Sequence, residues 1–186
     1  MKRGEHLTDL GIQEIVNIKA SLNKGLSDEL LEVFPNTVNF PRFHVVDSKI
    51  PNPHWLAGFT SGEGSFGIVI NKYSTQKVGY VLLSFSLSQH IRDKQLMESL
   101  VSYLKCGRYV ARNNKYLGEY ICTKFSDIDE KIIPFFKKYP IVGVKGLDFS
   151  DWCKVADIIK TKNHLTKEGL DMIIKIKAGI NTGRLT

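Results

Sequence analysis

The sequence predicts an α+β fold in the order α-β-β-α-β-β-α, with a four-stranded antiparallel sheet. Four short segments alternate apolar and polar residues and form two predicted β-hairpins: 65–71 with 80–88, and 108–112 with 120–123. Apolar residues at helical spacing lie before, between and after these hairpins, as in Leu96, Leu100 and Leu104. Because one face of the strands is largely polar, we expect a sheet that is buried on one side only.

The helix predicted before the first strand carries a high concentration of small residues. Ala57 and Ser61 are four positions apart, as are Gly58 and Gly62, so they share one helical face. Each interior glycine costs a helix about 1 kcal/mol, so close packing or a ligand must offset the loss. The stretch ends at Glu63, whose two glycine neighbours leave its carboxylate unshielded. The pattern therefore predicts a close helix contact with an acid at its end.

Composition favours a nucleic-acid partner. The 186 residues are 42% hydrophobic, enough for a real core, and carry a formal net charge of +7. Such a charge suggests an acidic partner, most often nucleic acid, although a basic soluble protein without such a partner has the same composition. No apolar run reaches the roughly 18 residues that cross a membrane, and no secretory signal is expected. The three cysteines are far apart in the chain and lack zinc spacing.

Residues 6–25 are repeated as residues 164–183. At a constant offset of 158, ten of the twenty positions are identical, and each copy predicts a short helix capped by a threonine. Only one glycine-rich motif lies between the two copies. We therefore interpret residues 1–25 as the C-terminal helix tail of a missing first repeat, 26–52 as a linker punctuated by prolines, and 53–186 as a complete second repeat.

The stretch Leu56–Gly64 resembles the LAGLIDADG motif of homing endonucleases. Ser61 stands where the motif commonly has an acid, and Glu63 replaces the commoner aspartate at the metal-binding position. Both variants are familiar in the subfamily whose enzymes carry two motifs in one chain, and the predicted element order is that of a homing endonuclease repeat. The resemblance implies a site-specific DNA endonuclease that hydrolyses phosphodiesters with Mg²⁺ or another divalent cation.

The resemblance also implies three catalytic residues. Glu63 would bind the metal ion, Gln89 at the end of the second strand would position water, and Lys145 would lie near the scissile phosphate. One carboxylate per repeat is sufficient, because Mg²⁺ often takes one or two protein carboxylates together with waters and phosphate oxygens. The alternatives are an ordinary surface amide at Gln89 and a solvated lysine at Lys145.

The open face of the predicted sheet is the candidate DNA-binding surface. Serine and asparagine side chains exchange hydrogen bonds with base edges, and arginine reads guanine bidentately. The positions concerned are Ser65, Gly67, Val69, Asn71, Tyr80, Leu82, Ser84, Ser86, Ser88, Arg108, Val110, Arg112, Ile121 and Thr123. The same pattern in isolation is usual for a solvated sheet face.

The small residues Ala57, Gly58, Ser61 and Gly62 are the predicted contact with a second motif helix, from another repeat in trans or from a second copy of the chain. With one carboxylate, the chain alone is not expected to break both DNA strands.

Two alternatives stay open: an RNA maturase that binds intron RNA with the same basic sheet, and a catalytically inactive DNA-binding remnant. By resemblance, the protein is expected to be encoded by a mitochondrial intron.

Overall fold

A computed structural model describes residues 4–22, 25–41, 49–71, 80–112, 116–181 and 184. The chain divides into two compact units, Met1–Asp47 and Ser48–Thr186. Within the described ranges, no helix is both long enough and apolar enough to cross a membrane.

The first unit contains two helices, α1 (Asp9–Ser21) and α2 (Asp28–Val33). The Thr8 hydroxyl accepts a hydrogen bond from the Gly11 amide at 3.1 Å and caps α1, as predicted. Val16 is buried, whereas the other large apolar side chains of α1 are exposed, among them Leu10 at 82% and Ile15 at 43%. The unit therefore presents an apolar helix face that its own residues do not cover.

The second unit follows the predicted order of elements. They are α3 (Pro53–Glu63), β1 (Gly64–Asn71), β2 (Tyr80–His90), α4 (Lys94–Leu104), β3 (Arg108–Arg112), β4 (Leu117–Cys122), α5 (Phe125–Asp127), a π-helical turn (Ile128–Ile132), α6 (Ile133–Lys138), α7 (Val144–Lys160) and α8 (Lys167–Ala178). The strands form one antiparallel sheet in the order β1-β2-β4-β3, which confirms the predicted α+β fold. Each hairpin contributes one outer and one inner strand.

The sheet is buried on one face only. Phe66, Phe85 and Tyr120 are fully buried against the helices, whereas their immediate neighbours in each strand are exposed or half-buried. This alternation leaves the second face of the sheet open, as the sequence predicted.

Strand β4 begins at Leu117, three residues before the predicted start at Tyr120. Gly118 made this segment resemble a loop, yet it pairs with residues of both neighbouring strands. A Cβ at Gly118 would lie 2.5 Å from the Tyr109 hydroxyl oxygen. The glycine therefore accommodates the ring of Tyr109 within a strand and does not mark a turn.

The helices pack on the buried face of the sheet around Trp152 of α7. The indole is fully buried and lies 5.2 Å from the Phe66 ring, which itself stacks on Phe85 at 5.4 Å. Its Nε1 donates a hydrogen bond to the Gly67 carbonyl oxygen at 3.1 Å. The core therefore attaches α7 directly to the backbone of β1.

The helical segment between β4 and α7 contains a π-helical turn that ends two residues before Pro134. Ile128 and Ile132 at the two ends of the turn are both fully buried. Pro134 lies in the first turn of α6, where its missing amide hydrogen costs little. The helix ends at Lys138, two residues before Pro140.

Helix α8 repeats the local geometry of α1. A 3₁₀ turn precedes each helix, Glu5–Leu7 before α1 and Asn163–Leu165 before α8. The Thr166 hydroxyl caps α8 by accepting from the Gly169 amide at 3.0 Å. A Cβ on Gly11 or Gly169 would lie 1.9 Å from a carbonyl oxygen of the preceding 3₁₀ turn. Close backbone approach thus explains why both copies have glycine at this position.

Replacement of Trp152 by phenylalanine should lower the free energy of unfolding by about 2–4 kcal/mol, because the Gly67 carbonyl loses its donor and a fully buried ring shrinks. Urea unfolding followed by circular dichroism measures the change. Trp55→Phe is the matched control, since Trp55 is half-buried and stacks on Phe59 at 5.0 Å; it should cost about 1 kcal/mol. Equal losses for the two variants would contradict the role of Trp152 as the anchor of α7.

Candidate active site and nucleic-acid interface

Helix α3 places Glu63 where the helix becomes a strand. At the helix start, the Asn52 side-chain oxygen accepts a hydrogen bond from the Trp55 amide at 2.8 Å. At the other end, Gly64 begins β1 directly, and a Cβ there would lie 2.5 Å from the Thr60 carbonyl oxygen. A larger residue would push the strand away from the helix. Glu63, the last residue of α3, is therefore fixed at the junction, and it is exposed.

The Glu63 carboxylate has no hydrogen-bond or ion-pair partner in the part of the chain that the structure describes. The same residues contain no group of three or more His, Cys, Asp or Glu side chains arranged to hold a metal ion. A divalent ion at Glu63 would therefore take its other ligands from water, phosphate oxygens or another chain. An exposed, unpaired carboxylate suits that mode of binding.

The small residues of α3 divide between two faces. Gly58 and Gly62 are exposed, and a Cβ on either would meet no atom within 4 Å. Ala57 is 4% exposed and packs inside the unit, so the structure corrects its predicted place on an open contact face. The helical rotation of 100° per residue places Ala57 between the buried Thr60 and the half-buried Ser61. The open stripe consists of the two glycines, with Ser61 at its edge.

An open cleft of about 630 Å³ lies beside the end of α3. It is lined by Ser61, Ser65, Val142, Gly143, Val144, Lys145, Asp148 and Asn181. The Val142 amide donates to the Ser61 hydroxyl at 3.2 Å, which joins the segment before α7 to α3. Ser61 and Ser65, which line the cleft together with Lys145, lie two residues on either side of Glu63, which does not itself line the cleft.

Lys145 lies in the first turn of α7, after Gly143 turns the chain with a φ of 76°. Its side chain is 24% exposed, and its Nζ lies 4.0 Å from Oδ2 of Asp148. Asp148 is 2% exposed and accepts a hydrogen bond on Oδ1 from Arg184 Nε at 2.8 Å. The hydrogen bonds to Asp148 and Asp151 raise the pKa of the Arg184 guanidinium. Lys145 therefore shares the cleft with a buried carboxylate that is already bound by another cation.

Sequence reasoning missed two residues of this cleft, Asp148 and Asn181, and also Arg184, which binds Asp148. Asp148 follows Lys145 by three positions on one helical face, a spacing that could have indicated it. Asn181 is one of the identical positions of the repeat, and its side-chain nitrogen donates to the Phe66 carbonyl oxygen at 2.9 Å. No sequence pattern indicates Arg184, because its contact joins segments that are distant in the chain.

Gln89 lies on the helix-covered side of β2 and is half-buried. Gly64 pairs with Leu87, so Gln89 lies two residues beyond that pair, at the same end of the sheet as Glu63. It is not among the residues that line the cleft. Lys145 and Ser61 near the end of α3 therefore line one cleft. Gln89 lies outside that cleft, at the same end of the sheet as Glu63.

The predicted DNA-contact positions all lie on the open face of the sheet, where each is exposed or half-buried; Thr123 directly follows β4. One row of paired residues crosses all four strands in the order Ser65, Ser86, Ile121 and Arg108. The Ser84 hydroxyl occupies the space above Gly67, 2.3 Å from where a Cβ would lie. The open face therefore presents serine hydroxyls and arginine side chains on a single surface.

The two arginines of this face differ in their pairing. Arg112 donates from Nε to Oε2 of Glu119 at 3.0 Å, and a second guanidinium nitrogen contacts the same oxygen. Arg108 has no ion-pair partner among the residues described. Glu119 was missed because β4 starts earlier than predicted, although extending the alternation by one step would have placed it on this face. Arg108 is therefore the cation that is more available to a ligand.

A stacked aromatic pair, which the sequence patterns did not indicate, lies at the edge of the open face where β2 ends and β4 begins. The rings of His90 and Tyr116 are 5.9 Å apart and inclined by 5°, and Tyr116 is 80% exposed. His90 Nδ1 accepts a hydrogen bond from the Arg92 amide at 3.1 Å, which leaves Nε2 as an outward donor. The pair adds a flat polar surface to the open face.

Comparisons with known proteins agree with this arrangement. Residues 56–156, more than half of the chain, match the LAGLIDADG endonuclease family. Probable intron-encoded endonuclease 3 of Neurospora crassa is 39% identical over 170 residues, which cover 90% of this chain and 32% of that protein. Probable intron-encoded endonuclease 2 of the same organism is 37% identical, with 95% of this chain and 40% of that protein covered.

Solved structures of the LAGLIDADG homing endonuclease I-SmaMI have the same fold. The structure bound to cleaved DNA is 50% identical with a TM-score of 0.93, covering 100% of this chain and 62% of that chain. A second structure, bound to uncleaved target DNA in the presence of calcium ions, has a TM-score of 0.91 at 49% identity and covers 97% and 62%. This chain thus spans less than two thirds of each of these relatives. The chain belongs to the LAGLIDADG endonuclease family.

Proposed function

We propose that the chain is one half of a site-specific DNA endonuclease of the homing type, which hydrolyses phosphodiesters with Mg²⁺ or another divalent cation. The observation that carries the proposal is the position of Glu63. Its exposed carboxylate, which has no hydrogen-bond or ion-pair partner among the described residues, ends α3 at the edge of an open sheet face. Ser61 and Ser65, two residues on either side, line the cleft that contains Lys145. The complexes of I-SmaMI with DNA support double-stranded DNA as the substrate.

The dimensions of the open face suit the major groove of duplex DNA. The row from Ser65 to Arg108 crosses four strands, about 14 Å at ordinary strand spacing, and the groove is about 12 Å wide. Strand β2, with 11 residues, extends about 35 Å, close to one turn of B-DNA. A half-site of about ten base pairs is therefore within reach. The net charge of +7 favours contact with the phosphate backbone.

The site residues would divide the hydrolysis between them. Glu63 would hold the divalent ion together with water and phosphate oxygens. When bound, the ion supplies charge neutralisation at the scissile phosphate and makes a nearby water more acidic. Lys145 would direct its ammonium group into the cleft and stabilise negative charge on the phosphate oxygens. Gln89, a neutral amide at the same sheet end, would orient the attacking water by hydrogen bonding.

The proposed enzyme needs a second repeat, because one carboxylate serves one DNA strand. Gly58 and Gly62 form an open stripe on which a second helix backbone can approach closely. Beside this stripe, Val142 and Val144 expose 75% and 53% of their surface. A second motif helix on this face would cover these apolar side chains and bring its own terminal acid close to Glu63. The partner is a second LAGLIDADG repeat, supplied in trans or by another copy of the chain.

We propose the domain plan predicted from the sequence: residues 1–25 as the tail of a first repeat, 26–52 as the linker and 53–186 as the complete repeat. In α8, Ile173 is fully buried, whereas the repeat-equivalent Ile15 of α1 is 43% exposed. The exposed face of α1 is what a tail helix without its own core would present. The I-SmaMI chain, of which 62% is covered, is long enough to include the body of another repeat.

The genetic setting that we propose is a mitochondrial intron. Two relatives are named as intron-encoded endonucleases of Neurospora crassa, and a further relative is a mitochondrial protein of Saccharomyces cerevisiae, 28% identical over 127 residues. We place the endonuclease before the two alternatives, an RNA maturase and an inactive DNA-binding remnant, because the three proposed catalytic residues Glu63, Gln89 and Lys145 are all present.

Glu63→Gln should abolish cleavage and preserve DNA binding, because an amide is a poor ligand for Mg²⁺. Incubation of the chain with a randomised duplex library and Mg²⁺, followed by sequencing of the ends, identifies the cleaved site. On that site the variant should lower the rate about 100-fold or more. Glu98→Gln, an exposed carboxylate of α4, is the control and should cleave at the normal rate.

Full-rate cleavage by the Glu63 variant would exclude this residue as the metal ligand. Neither nicking nor cleavage at any sequence, at a concentration at which the chain self-associates and with metal-independent duplex binding retained, would contradict the nuclease function of the paired chain.

Arg108→Ala should weaken duplex binding and relax base preference at one position, because a bidentate arginine is worth about 1–3 kcal/mol of discrimination. Arg112→Ala should cost less, since Glu119 already pairs with its guanidinium group. Fluorescence anisotropy at several salt concentrations measures the affinity and its salt slope, which should decrease by about 1 for Arg108→Ala. Lys160→Ala, which removes an exposed charge paired with Asp129, is the control. Equal losses for the Arg108 and Lys160 variants would contradict the sheet as the binding face.

The double variant Gly58→Ala/Gly62→Ala should block pairing through α3 without weakening the fold. Each added Cβ meets open space, and alanine is favoured over glycine in a helix by about 1 kcal/mol. Sedimentation velocity should show self-association of the wild-type chain at high concentration and a monomeric double variant whose Tm is unchanged or higher. Gly64→Ala, whose Cβ would lie 2.5 Å from the Thr60 carbonyl oxygen, should instead lower Tm.

A wild-type chain that stays monomeric at high concentration would exclude pairing with a second copy. Equal self-association of the wild-type chain and the double variant would exclude the glycine stripe as the interface.

A further inference from the structure

One buried carboxylate of the cleft, that of Asp148, has two cations near it, and only one of them is within hydrogen-bond distance. Asp148 is 2% exposed and lies one helical turn after Lys145 in α7. A buried charge is costly unless it is paired. Arg184 Nε donates to Oδ1 of Asp148 at 2.8 Å, whereas Lys145 Nζ lies 4.0 Å from Oδ2. The guanidinium group therefore satisfies the carboxylate, and the ammonium group remains outside hydrogen-bond distance.

Arg184 is itself held in place by several contacts. A second guanidinium nitrogen pairs with Asp151 of α7, and the backbone amide donates to the Asn181 carbonyl oxygen at 3.2 Å. The Asn181 side chain in turn donates to the Phe66 carbonyl oxygen at 2.9 Å. The contact between Arg184 and Asp148 is therefore part of a connected network that includes α7, β1 and the segment after α8.

The network determines what the Lys145 ammonium group can do. If Arg184 were absent, Asp148 would form a direct ion pair with Lys145 at about 2.8 Å and occupy hydrogen-bond donors of the ammonium group. With Arg184 bound to the carboxylate, Lys145 stays 4.0 Å away and keeps its donors for a group in the cleft.

We propose that Asp148 is a positioning residue for Lys145 and that Arg184 prevents Asp148 from occupying the Lys145 ammonium group. The inference rests on the proposed role of Lys145 at the scissile phosphate. In the described part of the chain, Lys145 has an ion-pair contact with Asp148 on its own helix, and Asp148 is in turn paired with Arg184 of the C-terminal segment.

The chemical reactivity of Lys145 tests the inference without DNA. Trace acetic anhydride labels lysine amines that are accessible and free to react, and mass spectrometry reads the labelling of Lys145 against that of the exposed Lys175. Asp148→Asn should raise labelling of Lys145 about threefold or more, because the carboxylate 4.0 Å from its Nζ is removed. Arg184→Met should lower labelling about threefold or more, because Asp148 then forms a direct ion pair that occupies the ammonium group. Lys160→Met, which removes an exposed cation of α7 that pairs with Asp129 outside this network, should change labelling by less than about 1.5-fold.

Opposite changes of Lys145 labelling in Asp148→Asn and Arg184→Met distinguish positioning from a purely structural role. A purely structural role would change labelling in the same direction in both variants. Arg184→Lys should return labelling to within about twofold of the wild type, since it restores a cation beside Asp148. If Asp148→Asn does not fold, as judged by circular dichroism, the two Arg184 variants decide the question. Unchanged labelling in Arg184→Met, or the same direction of change in the Asp148 and Arg184 variants, would overturn the proposal.

Cleavage of the selected duplex separates this inference from the proposed function. Single-turnover cleavage should fall about tenfold or more in Asp148→Asn and Arg184→Met, because supporting residues of a site typically contribute that much, while duplex affinity stays within about twofold. The predicted labelling pattern with unchanged cleavage would retain the positioning of Lys145 and refute its role in hydrolysis. Wild-type labelling in both variants would refute the positioning, whatever the cleavage rate.

Discussion

The direct passage from α3 to β1 is the constraint on which the rest of the site depends. Gly64 lies so close to the Thr60 carbonyl oxygen that no side chain fits between them, and the strand can leave the helix in only one direction. Glu63 is therefore positioned by the backbone, and no described side chain forms a hydrogen bond or an ion pair with its carboxylate. The same junction determines the two faces of β1, since Ser65 is exposed on the open face and Phe66 is fully buried in the core.

The same hydrogen bonds to β1 support the core and the candidate site. Two consecutive carbonyl groups of β1, those of Phe66 and Gly67, accept hydrogen bonds from Asn181 and Trp152 at 2.9 and 3.1 Å. These bonds attach the helical layer to the strand that follows Glu63. The position of the Lys145 cleft relative to the open sheet face is therefore a consequence of core packing, and a change in the core is transmitted to the site.

Local patterns in the sequence predicted the fold order, the one-sided sheet and the residues of its open face, because alternation and helical spacing are properties of short segments. These patterns failed where contacts between distant segments determine the place of a residue. Gly118 looks like a loop residue until the Tyr109 ring is seen to cover it, and Ala57 is buried by neighbours that the motif does not specify. The pair of Asp148 and Arg184 joins positions 36 residues apart, so no local pattern contains it. The catalytic roles of the site residues stay predictions.

The central claim is that Glu63 holds a divalent ion where the sheet meets the cleft. The most direct measurement is paramagnetic broadening of amide resonances in the ¹⁵N-labelled chain bound to duplex DNA, with Mn²⁺ in place of Mg²⁺, since both ions prefer oxygen ligands. The account predicts the strongest broadening at residues 62–65 and 142–145, reversed by excess Mg²⁺. Broadening centred elsewhere, for example on the acids Asp28 and Glu29 of α2, would contradict it.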